Sequence, residues 1–208
     1  MKRIFFLLIT SLFTLIAFSQ GNDNSGAYRS LKLAMANPDK VIYLYLNNTN
    51  LDTIPAEINN LKNLKGLYIQ HNRISKLPPQ LFELQNLEVL NLSWNSIEKL
   101  PDDIAKLTNL KELNLYGNKL NSIPAAIGQL QNLKKLFLGN NHIRSIPDNI
   151  ANLQNLEILS LSNNPITTLP ENLKDMPNLK TLDLQGTRIG FSKVMELKKK
   201  MPKVNIIY

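Results

Sequence analysis

The sequence predicts an α/β solenoid, an open coil of stacked units with a parallel sheet on one face and short helical segments on the other. Three observations predict it: a motif recurs every 23 residues, the apolar period changes within each copy, and a proline stands at the fifteenth position of six copies. A fixed period of this length is typical of units that are stable only when stacked on their neighbours.

Six copies follow one another without insertion or deletion, and a seventh, degenerate copy ends the series. They begin at Val41, Leu64, Leu87, Leu110, Leu133, Leu156 and Leu179. The first nine positions read L-x-x-L-x-L-x-x-N. In the fourth copy Leu113 and Leu115 alternate with polar residues, which predicts a short strand with its leucines facing inward. Stacked copies would place such strands side by side, about 4.8 Å apart, as a parallel sheet.

A proline follows each of the first six predicted strands. These residues are Pro55, Pro78, Pro101, Pro124, Pro147 and Pro170. Proline lacks the N–H that a strand ladder needs, so it turns the chain onto the opposite face. The segment after Pro124 keeps Ile127 and Leu130 for the interior and is otherwise polar or small. We therefore predict short helical or 3₁₀ segments on the convex side.

The ninth position of the five inner copies is asparagine. These residues form a column of Asn72, Asn95, Asn118, Asn141 and Asn164. The chain is expected to bend here inside the solenoid, where its backbone N–H and C=O groups lose contact with water. A buried amide carries donors and acceptors, so it can bond its own turn and the adjacent copy. We expect a structural role. The end copies have Thr49 and Thr187, because each has only one neighbour.

Residues 1–19 have the layout of a secretory signal peptide. Lys2 and Arg3 precede an apolar run over residues 4–18, and Ala17 and Ser19 stand three and one positions before a cleavage site that leaves Gln20 first. The run is shorter than the roughly 20 residues that span a bilayer, so a retained anchor is the weaker alternative. We expect an exported protein without stable membrane insertion after cleavage.

Each end of a solenoid needs a cap over its apolar cross-section. The N-terminal cap is placed at residues 20–40, with a helix over 26–37 that Ser25 begins and Asn37 ends. Residues 41–190 form the repeat domain. The C-terminal cap is placed at residues 191–208, with Phe191 on the apolar face of a helix over 191–201 and a closing strand over 204–208.

The chain has a net charge of +8 and no cysteine. Besides Lys2 and Arg3, the excess lies in a C-terminal group of Arg188, Lys193, Lys198, Lys199, Lys200 and Lys203. This group is interpreted as the solvated face of a cap helix, with an acidic partner or a membrane surface as the alternative. The repeat body is close to neutral and offers no basic stripe for nucleic acid. The lack of cysteine excludes zinc-finger, thiol and disulfide chemistry.

Residues 41–190 resemble the leucine-rich repeat class with 23-residue units, known from Ras-associated scaffolds, plant disease-resistance-like repeats and exported bacterial proteins. The resemblance rests on the strand motif and the return I/L-P-x-x-I/L-x-x-L-x-N-L, in six successive frames. It implies a right-handed horseshoe that binds a protein or a glycan on its concave face. Members differ in their partners, so the fold identifies none.

No catalytic or metal-binding pattern is found. His71 and His142 are the only histidines, and three copies at about 4.8 Å each place them roughly 15 Å apart, too far to share a metal. The sequence contains no phosphate-binding glycine loop and no G-x-S-x-G or H-E-x-x-H motif. We expect no enzymatic activity, no cofactor and no metal.

Aromatic residues and a histidine occupy outward positions that are usually polar in this class. They are Tyr43, Tyr45, Tyr68, His71, Trp94, Tyr116 and Phe137. Four of them, Tyr45, Tyr68, Trp94 and Phe137, fall within about 20 Å along the stack. Exposed aromatics are enriched at binding hot spots, so we interpret the set as a recognition strip. The alternative is that the rings pack on one another or beneath the N-terminal cap.

These observations favour an exported, non-enzymatic module that binds a protein, or alternatively a glycan, through its concave face. A cytoplasmic or membrane-anchored signalling scaffold is the second hypothesis, and a structural surface protein without a discrete ligand is the third. Nucleic acid is not expected as a partner. The identity of the ligand and the oligomeric state are left open by the sequence.

Overall fold

The computed structural model describes residues 25–208, which form a solenoid on one nine-stranded parallel sheet, with strands β1 to β9 in chain order. The strands are Ala27–Tyr28, Tyr43–Tyr45, Gly66–Tyr68, Val89–Asn91, Glu112–Asn114, Lys135–Phe137, Ile158–Ser160, Thr181–Asp183 and Asn205–Ile207. From β2 to β8 each residue pairs with the one 23 positions later, as in Leu44 with Leu67. The predicted fold class is confirmed. The proposed signal peptide lies outside the described residues and stays a prediction.

A 3₁₀ segment follows each repeat proline on the face opposite the sheet. These segments are Ala56–Asn60, Pro79–Glu83, Asp102–Lys106, Ala125–Gln129, Asp148–Asn152 and Glu171–Asp175, and a further one, Pro38–Lys40, precedes β2. The proline before each repeat segment has an extended backbone, with φ between −56° and −76°, so it turns the chain without continuing the ladder. Leu113 and Leu115 of the strand and Ile127 and Leu130 of the return are fully buried. They contribute to one continuous core.

The ninth-position asparagines join neighbouring copies through hydrogen bonds. The Nδ2 of Asn118 donates to the carbonyl oxygens of Leu115, in its own copy, and Leu92, in the preceding copy, both at 3.0 Å. Its Oδ1 accepts from the N–H of Ile97 at 3.0 Å. Partners at the same separations recur for the other inner asparagines. The hydroxyl of Thr49 donates to the Leu46 oxygen of its own copy at 2.7 Å and lies 3.2 Å from Oδ1 of Asn72 in the next copy, so the end unit is joined to its single repeat neighbour.

A second asparagine ladder, which was not predicted from the sequence, runs along the other side. Its members stand one position before the first leucine of a copy: Asn63, Asn86, Asn109, Asn132, Asn155 and Asn178. Each Nδ2 donates to the carbonyl oxygen 24 residues earlier, at 2.8–2.9 Å. The return segments of neighbouring copies are therefore joined as regularly as the strands.

The N-terminal cap differs from the prediction. Helix α1 covers only Leu31–Ala36, and Ser30 rather than Ser25 caps it, accepting a bond from the N–H of Leu33 at 3.4 Å. The predicted start was wrong because residues 27 and 28 pair with β2 as an edge strand. Asn37 ends the helix, as predicted.

The C-terminal cap consists of helix α2, Phe191–Lys200, and strand β9, which pairs with β8. Both elements were predicted. Val194 and Leu197 of α2 face the core, but Phe191 is 69% exposed, so its predicted place on the apolar face is wrong. Its ring lies 6.2 Å from that of Tyr208, which is also exposed.

Candidate functional site

Three tyrosines in the first two copies form a group that we call the strand cluster: Tyr43, Tyr45 and Tyr68. The rings of Tyr45 and Tyr68 stack with centroids 4.6 Å apart and planes 7° apart. The guanidinium carbon of Arg29 lies 5.4 Å from the Tyr45 centroid, a cation–π contact from the N-terminal cap. Gly66 makes room for Tyr43, since a Cβ there would lie 2.6 Å from its Cδ1. The cluster thus fastens the first copies to the cap.

Tyr68 is almost completely covered. It is 8% exposed, and burial raises the pKa of its phenol to about 12, because loss of water disfavours the phenolate. The charges of Tyr45, Glu112 and Tyr43 shift the pKa in the same direction to a smaller extent. Tyr68 occupies an outward position beside the buried Leu67, but Tyr45 stacks on its ring, so the alternative of rings that pack on one another applies to these two tyrosines.

Phe137 stands apart from the other aromatic residues. It occupies the same strand position as Tyr68, but Asn91 and Asn114 lie between them in the intervening strands, and its other neighbour is Ser160. Trp94 lies beyond the end of its strand rather than in this row. The residues of the predicted recognition strip therefore do not form one continuous surface, because two strands separate Phe137 from Tyr68 and Trp94 lies outside their row.

His71, Trp94 and Tyr116 form a second group, the rim cluster, at the edge where the strands end. The rings of His71 and Trp94 are 9° from parallel with centroids 5.9 Å apart, and Tyr116 meets Trp94 edge-on at 5.4 Å. A Cβ at Gly117 would lie 2.8 Å from Cε3 of Trp94, so the indole packs on that glycine. Because His71 belongs to the preceding copy and Gly117 to the following one, the indole lies between them. Trp94 is still 46% exposed.

The eighth position of every copy has a left-handed backbone. This left-handed column consists of Asn48, His71, Trp94, Gly117, Asn140, Asn163 and Gly186. The φ angles of its non-glycine members lie between 53° and 58°. The N–H at this position donates to the seventh-position carbonyl of the next copy, as from Trp94 to Tyr116 at 2.8 Å. Hydrogen bonding between copies therefore holds the conformation in place.

Trp94 is an unusual occupant of the left-handed column. Glycine and asparagine, which fill five of its seven positions, adopt positive φ most readily, and histidine is moderately tolerated. A bulky side chain is an outlier there, and the left-handed backbone costs an L-residue roughly 1–2 kcal/mol. Backbone strain of this kind clusters at functional sites. Trp94 combines such strain with a large exposed aromatic surface.

A depression of about 400 Å³ lies beside the indole. It is lined by Asn50, His71, Asn72, Arg73, Trp94, Asn95 and Gly117. Two of these, Asn72 and Asn95, belong to the structural asparagine column, so hydrogen bonds to the backbone hold part of the lining in place.

Comparisons with known proteins agree with this architecture. The family profile of the leucine-rich repeat region matches residues 40–136 and 87–198. The chain belongs to the leucine-rich repeat family. No curated protein matches it significantly.

Among solved structures, the chain is similar to a leucine-rich repeat protein of Leptospira interrogans, at 36% identity and a TM-score of 0.80, covering 87% of this chain and 46% of that one. It is also similar to the leucine-rich repeat ectodomain of the Arabidopsis thaliana membrane receptor kinase GASSHO1/SCHENGEN3, solved in complex with CASPARIAN STRIP INTEGRITY FACTOR 2. There the identity is 32% and the TM-score 0.66, over 72% of this chain and 19% of the receptor. The chain is similar as well to the structure of PEPR1–AtPEP1, at 30% identity and a TM-score of 0.60, over 66% of this chain and 20% of that one. The chain thus spans less than half the length of each.

The leucine-rich repeat fold is typically a protein-binding module, and two of these neighbours were solved as complexes with a ligand. Within residues 25–208, no three histidine or acidic side chains are grouped so that they could hold a metal ion. No helix in that part of the chain is long and apolar enough to cross a membrane.

The left-handed column has a signature in the sequence itself. The eighth position is asparagine or glycine in five of seven copies, and these are the residue types that most readily adopt a positive φ. Against that pattern His71 and Trp94 stand out as exceptions. Their position in the copy, more than their aromatic character, separates them from the strand cluster.

Proposed function

We propose that this protein is an exported, non-enzymatic binding module that recognises a protein partner at the rim cluster, with Trp94 as the anchor. The observation that carries the proposal is the exposed indole of Trp94 at a backbone position that disfavours it. A tryptophan or arginine anchor set among less important contacts is the usual composition of a protein-binding hot spot. Arg73 lines the same depression.

The geometry of the indole favours a protein over a glycan. A sugar stacks on the flat face of an aromatic ring, but here His71 covers one face in part and the backbone of Gly117 covers the other. Both faces of the ring are therefore partly occupied, although Trp94 as a whole is 46% exposed. A ring in this setting suits a shaped apolar or hydrogen-bonding protein surface.

Export is proposed from the sequence of residues 1–19, and the extracellular receptor neighbours support it. A cytoplasmic or membrane-anchored signalling scaffold is the alternative. Recovery of a chain that begins at Gln20 from an extracytoplasmic fraction would decide for export, and recovery of a chain that keeps residues 1–19 in the membrane pellet would decide for the alternative.

The binding proposal is tested with Trp94→Asn. Asparagine already occupies three positions of the left-handed column, so the variant is expected to keep its fold. Tyr208→Asn is the matched control, because Tyr208 is a similarly exposed aromatic residue at the far end of the solenoid. Each protein is immobilised, exposed to an envelope extract of the producing organism, and the bound proteins are quantified by mass spectrometry. A glycan array is probed in parallel.

A partner captured by the wild type and by Tyr208→Asn should be lost from Trp94→Asn. A hot-spot loss of about 2 kcal/mol weakens binding roughly 30-fold. Equal capture by Trp94→Asn contradicts the proposal. Binding to glycans that depends on Trp94 would replace the protein partner with a sugar, and no Trp94-dependent ligand of either kind would favour a structural surface protein.

A further inference from the structure

The tenth position of each copy forms a second column on the same rim, two residues after the left-handed column. Its members are Asn50, Arg73, Ser96, Lys119, His142, Pro165 and Arg188. Where a backbone N–H is present in the second and later copies, it donates to the eleventh-position carbonyl of the preceding copy, at 2.8–2.9 Å. These bonds hold the residues in register, so Arg73, Lys119 and Arg188 are presented on one side of the solenoid.

The charged members of this column have no acidic partner. Arg73, Lys119 and Arg188 are exposed, and none of them forms an ion pair among residues 25–208. By contrast, several lysines at outward positions near the strands are paired with glutamates of neighbouring copies, for example Lys111 with Glu88 at 2.6 Å. The positive charge at the rim is therefore available to a ligand.

Positions ten to thirteen together carry more basic than acidic residues. The basic ones are Arg73, Lys76, Lys99, Lys119, Arg144 and Arg188, and the acidic ones are Asp52 and Glu98. The compensating acidic residues lie at the start of the convex 3₁₀ segments: Glu57, Asp102, Asp103, Asp148 and Glu171. The net charge of the repeat body is close to zero, as expected, but this sum concealed the separation of basic and acidic residues between the rim and the convex face.

The rim charge adjoins the proposed anchor. Arg73 lines the depression beside Trp94. Lys119 stands two positions after Gly117, the residue on which the indole packs. Arg73 and Lys119 are two copies apart, roughly 10 Å at about 4.8 Å per copy. Three residues of a polyproline II chain span about the same distance, at about 3.1 Å per residue.

We propose that the rim binds an acidic protein segment, extended along the stack, whose carboxylates contact Arg73 and Lys119 while an apolar side chain between them contacts Trp94. This inference rests on the proposed function and adds the chemical class of the partner. The attraction is electrostatic at an exposed site, so it depends on ionic strength.

The pattern fits an acidic peptide better than a nucleic acid. Basic residues at position ten alternate with Ser96 and Pro165, and Glu98 stands beside Ser96. A phosphate backbone, with a charge on every nucleotide, needs a denser series of basic side chains. A peptide can place one carboxylate on each cation and an uncharged residue opposite Glu98.

The test is selection from a random peptide display library on the full chain. Selected peptides are then titrated in solution against the emission of Trp94, the only tryptophan of the chain. The rim double variant combines Arg73→Glu with Lys119→Glu. Trp94→Asn is the second variant, and because it lacks the tryptophan its affinity is measured by competition with a labelled peptide. The control is Lys62→Glu with Lys199→Glu, which makes the same change in charge at two exposed lysines without ion pairs elsewhere. A single-stranded oligodeoxynucleotide serves as the alternative polyanion.

Selected peptides should be acidic with one apolar or aromatic residue, and should shift Trp94 emission. The rim double variant should weaken them at least about tenfold, the control double variant should not, and salt should weaken binding to the wild type. Neutral or basic peptides, no enrichment, or an unaffected rim double variant overturn the inference. Tighter oligonucleotide binding through the same residues also overturns it, in favour of nucleic acid. If Trp94→Asn alone abolishes binding, the proposed function stands without this inference; if no variant matters, both fail.

Discussion

The strain assigned to Trp94 predicts an inverted order of stability between alanine and glycine at this position. Both Trp94→Ala and Trp94→Gly remove the indole and its contacts with His71 and Gly117, so these losses are common to the pair. The variants differ in the Cβ atom alone. At a φ of 54°, a Cβ is crowded in alanine and absent in glycine.

The magnitude follows from three terms. Both variants lose the burial of on the order of 100 Å² of indole surface, which is about 2.5 kcal/mol at about 25 cal/mol per Å². Alanine retains the left-handed cost of roughly 1–2 kcal/mol, whereas glycine is free of it. Glycine loses about 0.5–1 kcal/mol more through backbone entropy. We therefore expect Trp94→Gly to be the more stable variant by about 0.5–1 kcal/mol, with both below the wild type.

The assay is urea unfolding followed by far-ultraviolet circular dichroism, because both variants lack the only tryptophan. Ser122 supplies the control pair: it is exposed, its φ is not positive, and its side chain forms no hydrogen bond with any of residues 25–208. At Ser122 alanine should be more stable than glycine by about 0.5–1 kcal/mol. Finding alanine more stable than glycine at position 94 as well would refute the claim that Trp94 is held at a strained position.

Three further predictions concern the scaffold and the leader. Asn118→Ala should cost about 1–3 kcal/mol, because the buried Ile97 N–H loses its partner and the Leu92 and Leu115 carbonyls each lose one of two donors. Lys119→Ala should leave the melting temperature nearly unchanged, and similar values for both variants would contradict the buried ladder. The pKa of Tyr68 is about 10 in the unfolded chain and is raised to about 12 by burial in the folded one, so the stability that the neutral phenol contributes below pH 10 should be lost as the pH rises to 12. Tyr68→Phe should therefore lose about 2–3 kcal/mol less of its free energy of unfolding over this pH range than the wild type does. Mass spectrometry of the native protein should find a chain that starts near Gln20, and a retained Met1 would show that the leader is not cleaved.

The burial of Tyr68 also changes how the aromatic surface should be mutated. Replacing Tyr68, Trp94 and Phe137 together would remove a buried ring along with an exposed one, so lost binding could simply reflect unfolding. Trp94→Asn avoids this, because it changes a single rim residue to a type that the same column already contains.

The 23-residue period determined the class of fold, because a repeat of this length can bury its leucines only by stacking copies with a constant register. It therefore determined the parallel sheet, the 3₁₀ returns and the inward direction of Leu113, Leu115, Ile127 and Leu130. The asparagine at the ninth position follows from the same argument. These features depend on local pattern repeated without error, and the structure contains all of them.

The tertiary structure alone decided which outward residues are accessible. Alternation along the strand predicts that the side chain of Tyr68 points away from the core. Whether water reaches it depends on Tyr45, 23 residues earlier in the sequence, whose ring centroid lies 4.6 Å from that of Tyr68. The same holds for the cap, where pairing with β2 makes residues 27 and 28 a strand although their composition allows a helix. The basic rim was not predicted for a related reason. Net charge is a sum over the whole chain, whereas a ligand contacts only the charged residues that stacking places on the same side of the solenoid. Only the folded solenoid brings Arg73, Trp94 and Lys119 to one edge and leaves their balancing carboxylates on the convex face.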